Sequence, residues 1–334
     1  MPPRQHSTHT KLHEWDASTR EQLGDYFVRN LRTSLSVDHH HGFSFMYLSK
    51  RMESKRILVT GSNGQLARSL AVVNKSFLHE LFLLDRQSLD VSNADHWRER
   101  FDDIDPDVVI NCAAYTDVEG AEDHPEAAFA INDSAVVLAS RLAAEHDKRF
   151  IHISTDYVFD GKASRPYTEK DDTAPLNVYG ASKLAGEQGI LDLKSDAMIF
   201  RVSWLYSPFG KNFVKTMNHL FGTHDEVNVV SDQIASPSSA LTFGHFLLEC
   251  ALEGGEPGLY HYSEQGEASW FNLASAVNEL TGNRAQVHAV DSEYFPTKAE
   301  RPAYSKLDNR KIEAIFAPQI PHWRESLESC LNYE

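Results

Sequence analysis

Apolar residues change their rhythm along this chain near residue 55. Ahead of that point the residues are polar, with His and Arg among them, and Phe43-Ser-Phe-Met-Tyr-Leu48 is the longest apolar run. Met46 and Met52 stand just before the first convincing strand, so residues 1–54 read as a poorly structured leader or an overextended start. From Arg56 onward two periods alternate. Ile57-Leu-Val-Thr60 has the short continuous pattern of a buried strand, and Leu66, Leu70 and Val73 then recur with the spacing of one helix face. Leu81-Phe-Leu-Leu84, Asp107-Val-Val-Ile-Asn111 and Phe150-Ile-His-Ile-Ser154 repeat the strand pattern, with helices between them around residues 125–146. Strands alternating with helices predict an α/β fold with a parallel, doubly wound sheet, whose ligands collect at the carboxyl ends of the strands. The later pattern is weaker. Asn212–Phe221 and Phe243–Leu252 read as helices and Val227–Val230 as a strand, while Tyr260–Tyr262, Trp270–Leu280 and Val287–Val290 suggest a small mixed unit.

Composition narrows the class. A chain of 334 residues, 41% hydrophobic and 24% charged, can bury a large core and has the length of roughly two domains. No continuous apolar run reaches the ~18 residues of a membrane span, and no charged flank leads into an apolar export segment. Cys112, Cys250 and Cys330 lie far apart without CxxC or Cys/His spacing, so neither a disulfide framework nor a zinc site is expected. A cytoplasmic, reducing compartment fits. The triplet His39-His-His41 has no second ligand cluster and reads as a solvated turn. A formal charge of −16 argues against broad binding to nucleic acid or to an anionic membrane, so an anionic ligand has to be held locally.

Three motifs sit where the doubly wound pattern would use them. Gly61-Ser-Asn-Gly64-Gln-Leu-Ala67 follows the first strand and opens a helix, which lets a pyrophosphate approach the free N–H groups of the helix N-terminus. Asp85 closes the next strand 21 residues after Gly64, where an acid accepts hydrogen bonds from an adenosine ribose; Arg86 beside it would pair with a 2′-phosphate, so NADH and NADPH both stay open. Asn111-Cys-Ala-Ala-Tyr115 and Ser154-Thr-Asp-Tyr157 each follow a strand and should end at the same rim, with small Ala113 and Ala114 allowing close approach and Thr155 offering a hydroxyl. The last motif is Tyr179-Gly-Ala-Ser-Lys183. At i, i+4 the phenol and ammonium share a helix face, where Lys183 is expected to lower the Tyr179 pKa from ~10 and make it a usable proton donor. Taken singly, a Tyr/Lys pair on a helix is commonly a surface pair and Ser-Thr after a strand a cap. Their order and context favour carbonyl reduction.

With these residues in place the sequence resembles the dTDP-4-dehydrorhamnose reductase family of the extended short-chain dehydrogenase/reductases, from about Lys55 to the C-terminus. The resemblance is carried by residues 59–66, 111–116, 121–128, 154–161, 174–187 and 201–206, and later by Gly210–Phe213, Asp232-Gln233, Ser236-Pro237 and Arg301-Pro302 with Ser305 and Asp308. It implies a Rossmann-type sheet with a smaller mixed α/β substrate domain. The chain would cross between them more than once, with residues 55–205 plus about 227–255 binding dinucleotide and about 206–226 plus 256–334 binding sugar nucleotide. It makes Thr155, Tyr179 and Lys183 catalytic. Gly61, Asn63, Gly64, Gln65 and Leu66 would meet the pyrophosphate side of NADPH or NADH, Asp85 and Arg86 the adenosine ribose, Ala113, Ala114 and Tyr115 the central cofactor, and Tyr179 with Lys183 its nicotinamide end. Thr155, Tyr157 and Trp204 would face the deoxysugar of a dTDP-sugar, and Asn212, Gln233 and Arg301 the diphosphate or its neighbourhood. Ala67 replaces the usual third glycine, Glu119 stands where aspartate is common, and Ala235 and Ser238 replace the more usual Gly and Thr. No metal is assigned, and a homodimer stays open.

The reaction this implies is reduction of the 4-keto group of dTDP-4-dehydro-L-rhamnose to dTDP-L-rhamnose. Three other readings share the fold: a reductase of another dTDP-4-keto-6-deoxy sugar, a sugar-nucleotide epimerase, and a non-catalytic relative similar to the regulatory subunit of methionine adenosyltransferase. An epimerase would retain bound NAD and turn over without added cofactor. A regulatory relative would bind cofactor without turnover.

Overall fold

In the computed structural model residues 54–333 are described; residues 1–53, which hold nearly all of the expected leader and His39–His41, lie outside the described residues. Strand β1 (Arg56–Thr60) runs through the glycine turn into helix α1 (Gln65–Val73), followed by β2 (Glu80–Leu84), α2 (Ala94–Ile104) and β3 (Val108–Asn111). Next come α3 (Val118–Asp123), α4 (Pro125–Phe129) and α5 (Ala135–Glu145), the last two joined by a π-helical turn over Ala130–Ser134. Strand β4 (Arg149–Thr155), helix α6 (Val178–Asp192) and β5 (Ala197–Val202) complete the regular alternation. The remainder interleaves β6 (Leu205–Tyr206), α7 (Phe213–Phe221), β7 (Glu226–Val230), β8 (Ile234–Ala235), β9 (Ser238–Ser239) and α8 (Ala240–Glu253). It ends with β10 (Gly258–Tyr262), β11 (Ala268–Ser269), α9 (Trp270–Leu280), β12 (Gln286–Val290), α10 (Arg310–Phe316) and α11 (Trp323–Leu331).

Six of these strands form one parallel sheet in the order β2-β1-β3-β4-β5-β10. The fold is α/β and doubly wound, and the order reverses between β1 and β3, which opens a crevice at their carboxyl ends. Successive strand residues face opposite sides. Ile57, Val59 and Ile110 pack with Leu70 of α1 and with Phe243 and Leu247 of α8, whereas Leu58, Val109 and Phe150 pack with Trp97 of α2 and Leu142 of α5. Burial on both faces explains why these strands read as continuous apolar runs rather than as alternation.

A third apolar cluster gathers Val214 and Phe221 of α7, Val229 of β7, Leu273 and Val277 of α9 and Leu327 of α11. Two strands sit differently from their expected grouping. β10, expected in the small mixed unit, pairs in parallel with β5 because Tyr260 and Tyr262 stack into the core around Phe200, Phe243 and Phe246. β7, expected with the dinucleotide-binding segment, pairs in parallel with β12 and sends Val229 into the third cluster. Although no continuous apolar run is long enough to span a membrane, the helical stretch Pro125–Glu145 passes by length and composition, with a mean hydropathy of 1.3. Its Val136, Ala139 and Leu142 are spent on the sheet-facing core.

Candidate active site

The glycine turn places backbone where side chains would block it. Gly61 has φ 66°, and a Cβ there would come within 2.9 Å of the Ala113 backbone, so the first and third strand ends can meet only over glycine. Gly64 donates to Gly61 O at 2.8 Å and heads α1 without a side-chain cap, leaving first-turn N–H groups for a ligand. Asn63 and Gly64 are exposed and Leu66 is buried. At the end of β2, Asp85 Oδ1 accepts from Gln87 N, Ser88 N and Ser88 Oγ at 2.9–3.1 Å, bonds that hold its carboxyl below the usual range. Arg86 beside it is exposed. A bare backbone cradle, an uncapped helix start and a carboxylate with Oδ2 uncommitted fit a dinucleotide.

Strand β4 and helix α6 bring the three expected catalytic side chains together. The Thr155 side chain stands near the Tyr179 hydroxyl, and Thr155 Oγ1 donates to Asp156 Oδ1 at 3.2 Å. Lys183, one turn along α6, is 2% exposed and donates to Ile153 O at 2.7 Å. Helix α6 reaches this position because Asn177 caps it through Gly180 N at 2.8 Å and because Gly180 has no side chain to overlap the Tyr157 carbonyl oxygen. The acidity expected of Tyr179 is corrected: burial raises its pKa to about 12, outweighing the nearby Thr155 side chain. Lys183 is itself held down to about 8 by burial, and its hydrogen bonds run to Ile153 and His152. Desolvation disfavours both charges here.

Several site groups lay hidden in the sequence. Buried Asn132 in the π-helical turn clamps Tyr115 through both backbone atoms, at 2.8 and 3.0 Å, and reaches Ser182 of α6 at 3.0 Å. Glu187, one turn beyond Lys183, accepts from Ser154 and takes a bidentate pair from Arg201, Nη2 to Oε2 being 2.6 Å with both side chains at most 3% exposed. Asp156 accepts from Ser305 Oγ at 2.5 Å, and burial raises its pKa to about 7. Only the Asx-type cap at Asn177 carried a local signal.

On the substrate side Tyr157 stands edge-on to Tyr179, ring centroids 5.9 Å apart, and senses the charges of Arg301 and Glu119. Arg301 pairs with Glu119 at 3.2 Å, and its buried Nε has no partner among the described residues. Trp204 follows β5 with φ 45°, an uncommon conformation for so large a residue. Its indole lies flat on Trp270 at 3.5 Å and 6°, while Trp270 Nε1 donates to Gln233 Oε1 at 3.1 Å. Asn212 caps α7, donates to Ser207 O at 2.7 Å and approaches Gln65 Oε1 at 3.5 Å, which puts it beside the start of α1 rather than beside Arg301's partners. Among the described residues no cluster of metal-ligating side chains occurs.

A glycine-cradled helix start sharing one rim with a Thr/Tyr/Lys cluster defines the nicotinamide-dependent, extended short-chain type of reductase. Comparison with known proteins makes the class narrower. The family described as RmlD substrate binding domain matches residues 55–334. The dTDP-4-dehydrorhamnose reductase of Sinorhizobium fredii is 39% identical over 282 residues, covering 81% of this chain and 95% of that protein. The spore coat polysaccharide biosynthesis protein SpsK of Bacillus subtilis is 37% identical, covering 83% and 97%. Among solved structures, a dTDP-4-dehydrorhamnose reductase of Clostridium acetobutylicum matches with TM-score 0.79 at 37% identity, covering 83% of this chain and 98% of that one. That of Bacillus anthracis, in complex with NADP, also matches at 0.79, with 34% identity over 84% and 99%. The chain belongs to the dTDP-4-dehydrorhamnose reductase family.

Proposed function

We propose that this protein reduces the 4-keto group of dTDP-4-dehydro-L-rhamnose to give dTDP-L-rhamnose, using NADPH or NADH. The observation that carries the reading is the gathering of Thr155 at the end of β4 with Tyr179 and Lys183 on one face of α6, on the rim shared with Gly61 and Ala113. The bound nicotinamide supplies the hydride. Tyr179 passes its proton to the oxygen of the reduced carbonyl, and a phenol held at about 12 is fully protonated at neutral pH, as an acid must be. An alkoxide is a much stronger base than a phenolate, so the transfer runs downhill without a depressed phenol. Thr155 Oγ1 turns from Asp156 to steady the same oxygen, and the Lys183 side chain offsets the phenolate left behind.

The remaining side chains orient. Gly61, Asn63, Gly64, Gln65 and Leu66 hold the pyrophosphate, Ala113, Ala114 and Tyr115 the middle of the cofactor, and Asp85 and Arg86 the adenosine ribose. Arg86 favours a 2′-phosphate and Asp85 Oδ2 a free hydroxyl, so both cofactors are used. Tyr157 and the Trp204 face away from Trp270 hold the deoxysugar. Arg301 and, more remotely, Gln233 and Asn212 serve the diphosphate side, Arg301 exchanging Glu119 for phosphate oxygen. We place the reaction in the cytoplasm, which suits three free cysteines.

Tyr179→Phe tests the assignment. NADPH oxidation driven by dTDP-4-dehydrorhamnose should fall ~10²–10⁴-fold with cofactor affinity kept. A near wild-type rate would sink the assignment. Turnover of the wild-type protein without added cofactor would point instead to an epimerase, and cofactor binding without turnover to a regulatory role.

A further inference from the structure

Beneath Lys183 runs a chain of buried polar groups that the reaction as described does not use. Ala113 N donates to Thr60 Oγ1 at 3.0 Å, Thr60 Oγ1 meets Asn111 Oδ1 at 2.6 Å, Asn111 Nδ2 meets His152 Nδ1 at 3.1 Å, and His152 Nε2 meets Lys183 Nζ at 3.1 Å. Thr60, Asn111, His152 and Lys183 are each at most 3% exposed. They come from β1, β3, β4 and α6, so no single segment contains the chain.

Each hydrogen in it has a direction. A backbone N–H only donates, so Thr60 Oγ1 accepts from Ala113 and its own hydrogen points onward. The 2.6 Å step to Asn111 is an O–H···O length, shorter than N–H···O contacts usually are. The Asn111 carbonyl oxygen therefore faces Thr60, and its NH2 faces His152. Nδ1 of His152 accepts, and the ring hydrogen sits on Nε2, aimed at Lys183. An Nε2–H cannot accept from an ammonium; it is matched by the lone pair of an amine, which can still donate to Ile153 O.

We propose that His152, held as its Nε2–H tautomer by Ala113, Thr60 and Asn111, is a positioning residue that lowers the proton affinity of Lys183, so that this lysine exchanges a proton near neutral pH instead of standing as a permanent ammonium. The inference rests on Lys183 acting beside Tyr179 as described above. Surrounding charges agree with it. Burial holds Lys183 down to about 8 against the opposing pull of Glu187, and burial with Lys183 keeps the His152 ring neutral. Glu187 on α6 is already engaged by Arg201 of β5 and by Ser154 of β4. The Cys112 thiol beyond β3 and the Tyr179 phenol are both pushed up to about 12 and stay uncharged, and Asp156 acts on Tyr179 rather than on Lys183.

Two measurements decide the matter. In ligand-free protein labelled at histidine with ¹⁵N, long-range proton–nitrogen correlation should show His152 as the Nε2–H tautomer from pH 6 to 9, its signal assigned by its loss in His152→Asn. An Nδ1–H or doubly protonated ring overturns the proposal whatever the activity. In the reductase assay the alkaline limb of kcat, expected near 8 from Lys183, should move up by about one unit or more in His152→Asn, which keeps a partner for Asn111 but none for Lys183. An unmoved limb overturns it too. Should His152→Asn fail to fold, Thr60→Val carries the test, because it frees the Asn111 amide to turn and should shift both limb and tautomer. Loss of all turnover with the tautomer as stated would sink the reductase reading and leave the hydrogen-bond order standing.

Discussion

Trp204 shows how much a single residue can depend on a distant one. Its left-handed backbone, φ 45°, is costly for a bulky side chain and is retained only where the surroundings over-determine it. Here Ser238 N donates to Trp204 O at 3.2 Å and Trp270 covers one indole face. Aromatic pairs of this kind contribute ~0.5–1.5 kcal/mol beyond the area they bury. Trp270→Leu should therefore loosen Trp204 and raise the KM for the sugar nucleotide up to about 10-fold while leaving that for NADPH unchanged, as read by steady-state kinetics with each substrate varied. Equal changes in both constants would show that Trp270 supports the fold generally. The residue pair was half legible. Trp204 was singled out only through the resemblance carried by residues 201–206, and nothing local in Trp270 announced that it packs 66 positions away in sequence.

At the scale of elements, helix α6 governs the site. Its first turn presses on the chain after β4 so closely that the carbonyl oxygen of Tyr157 occupies the space of a Gly180 side chain. Gly180→Ala should push the helix off by about an ångström. Overpacking of this sort costs roughly 1–3 kcal/mol, and displacement of Tyr179 and Lys183 should lower kcat by about 10²-fold. Thermal unfolding and turnover read the two effects separately; an active, equally stable variant would mean the helix is not held by this contact. Element types were legible in the first half of the chain because parallel strands covered on both faces become uninterrupted apolar runs. Partners were not legible. Gly258–Tyr262 looks like any short strand, and its place beside β5 depends on Phe200, Phe243 and Phe246 lying where its two tyrosines can stack.

Across the whole molecule, stability depends on carboxyls that folding deprives of water. Glu264, after β10, is 1% exposed, and its oxygens reach no partner at full hydrogen-bond geometry although Ser326, Thr242 and Tyr206 stand near. Burial raises its pKa from 4.5 to about 8. Because the folded pKa lies above the unfolded one, the folded state binds the extra proton between these values; stability from this group is complete below 4.5 and is lost as pH rises through about 8. Glu264→Gln should accordingly raise Tm relative to wild type at pH 8 and flatten the decline of Tm between pH 5 and 8. A Tm difference independent of pH would show that Glu264 is already charged in the folded protein.

Residue spacing alone determined the alternation of strand and helix, the glycine turn, the i, i+4 pair of Tyr179 and Lys183 and their order along the chain, since each is a local pattern with a local physical cause. Folding decided what those groups experience. Lys183 meets His152 instead of lowering the Tyr179 pKa, Asp156 meets Ser305 from 149 residues away, and Arg301 is tied to Glu119. Burial and long-range contact set proton affinity, and both are properties of the packed molecule that no spacing along one strand or helix can contain.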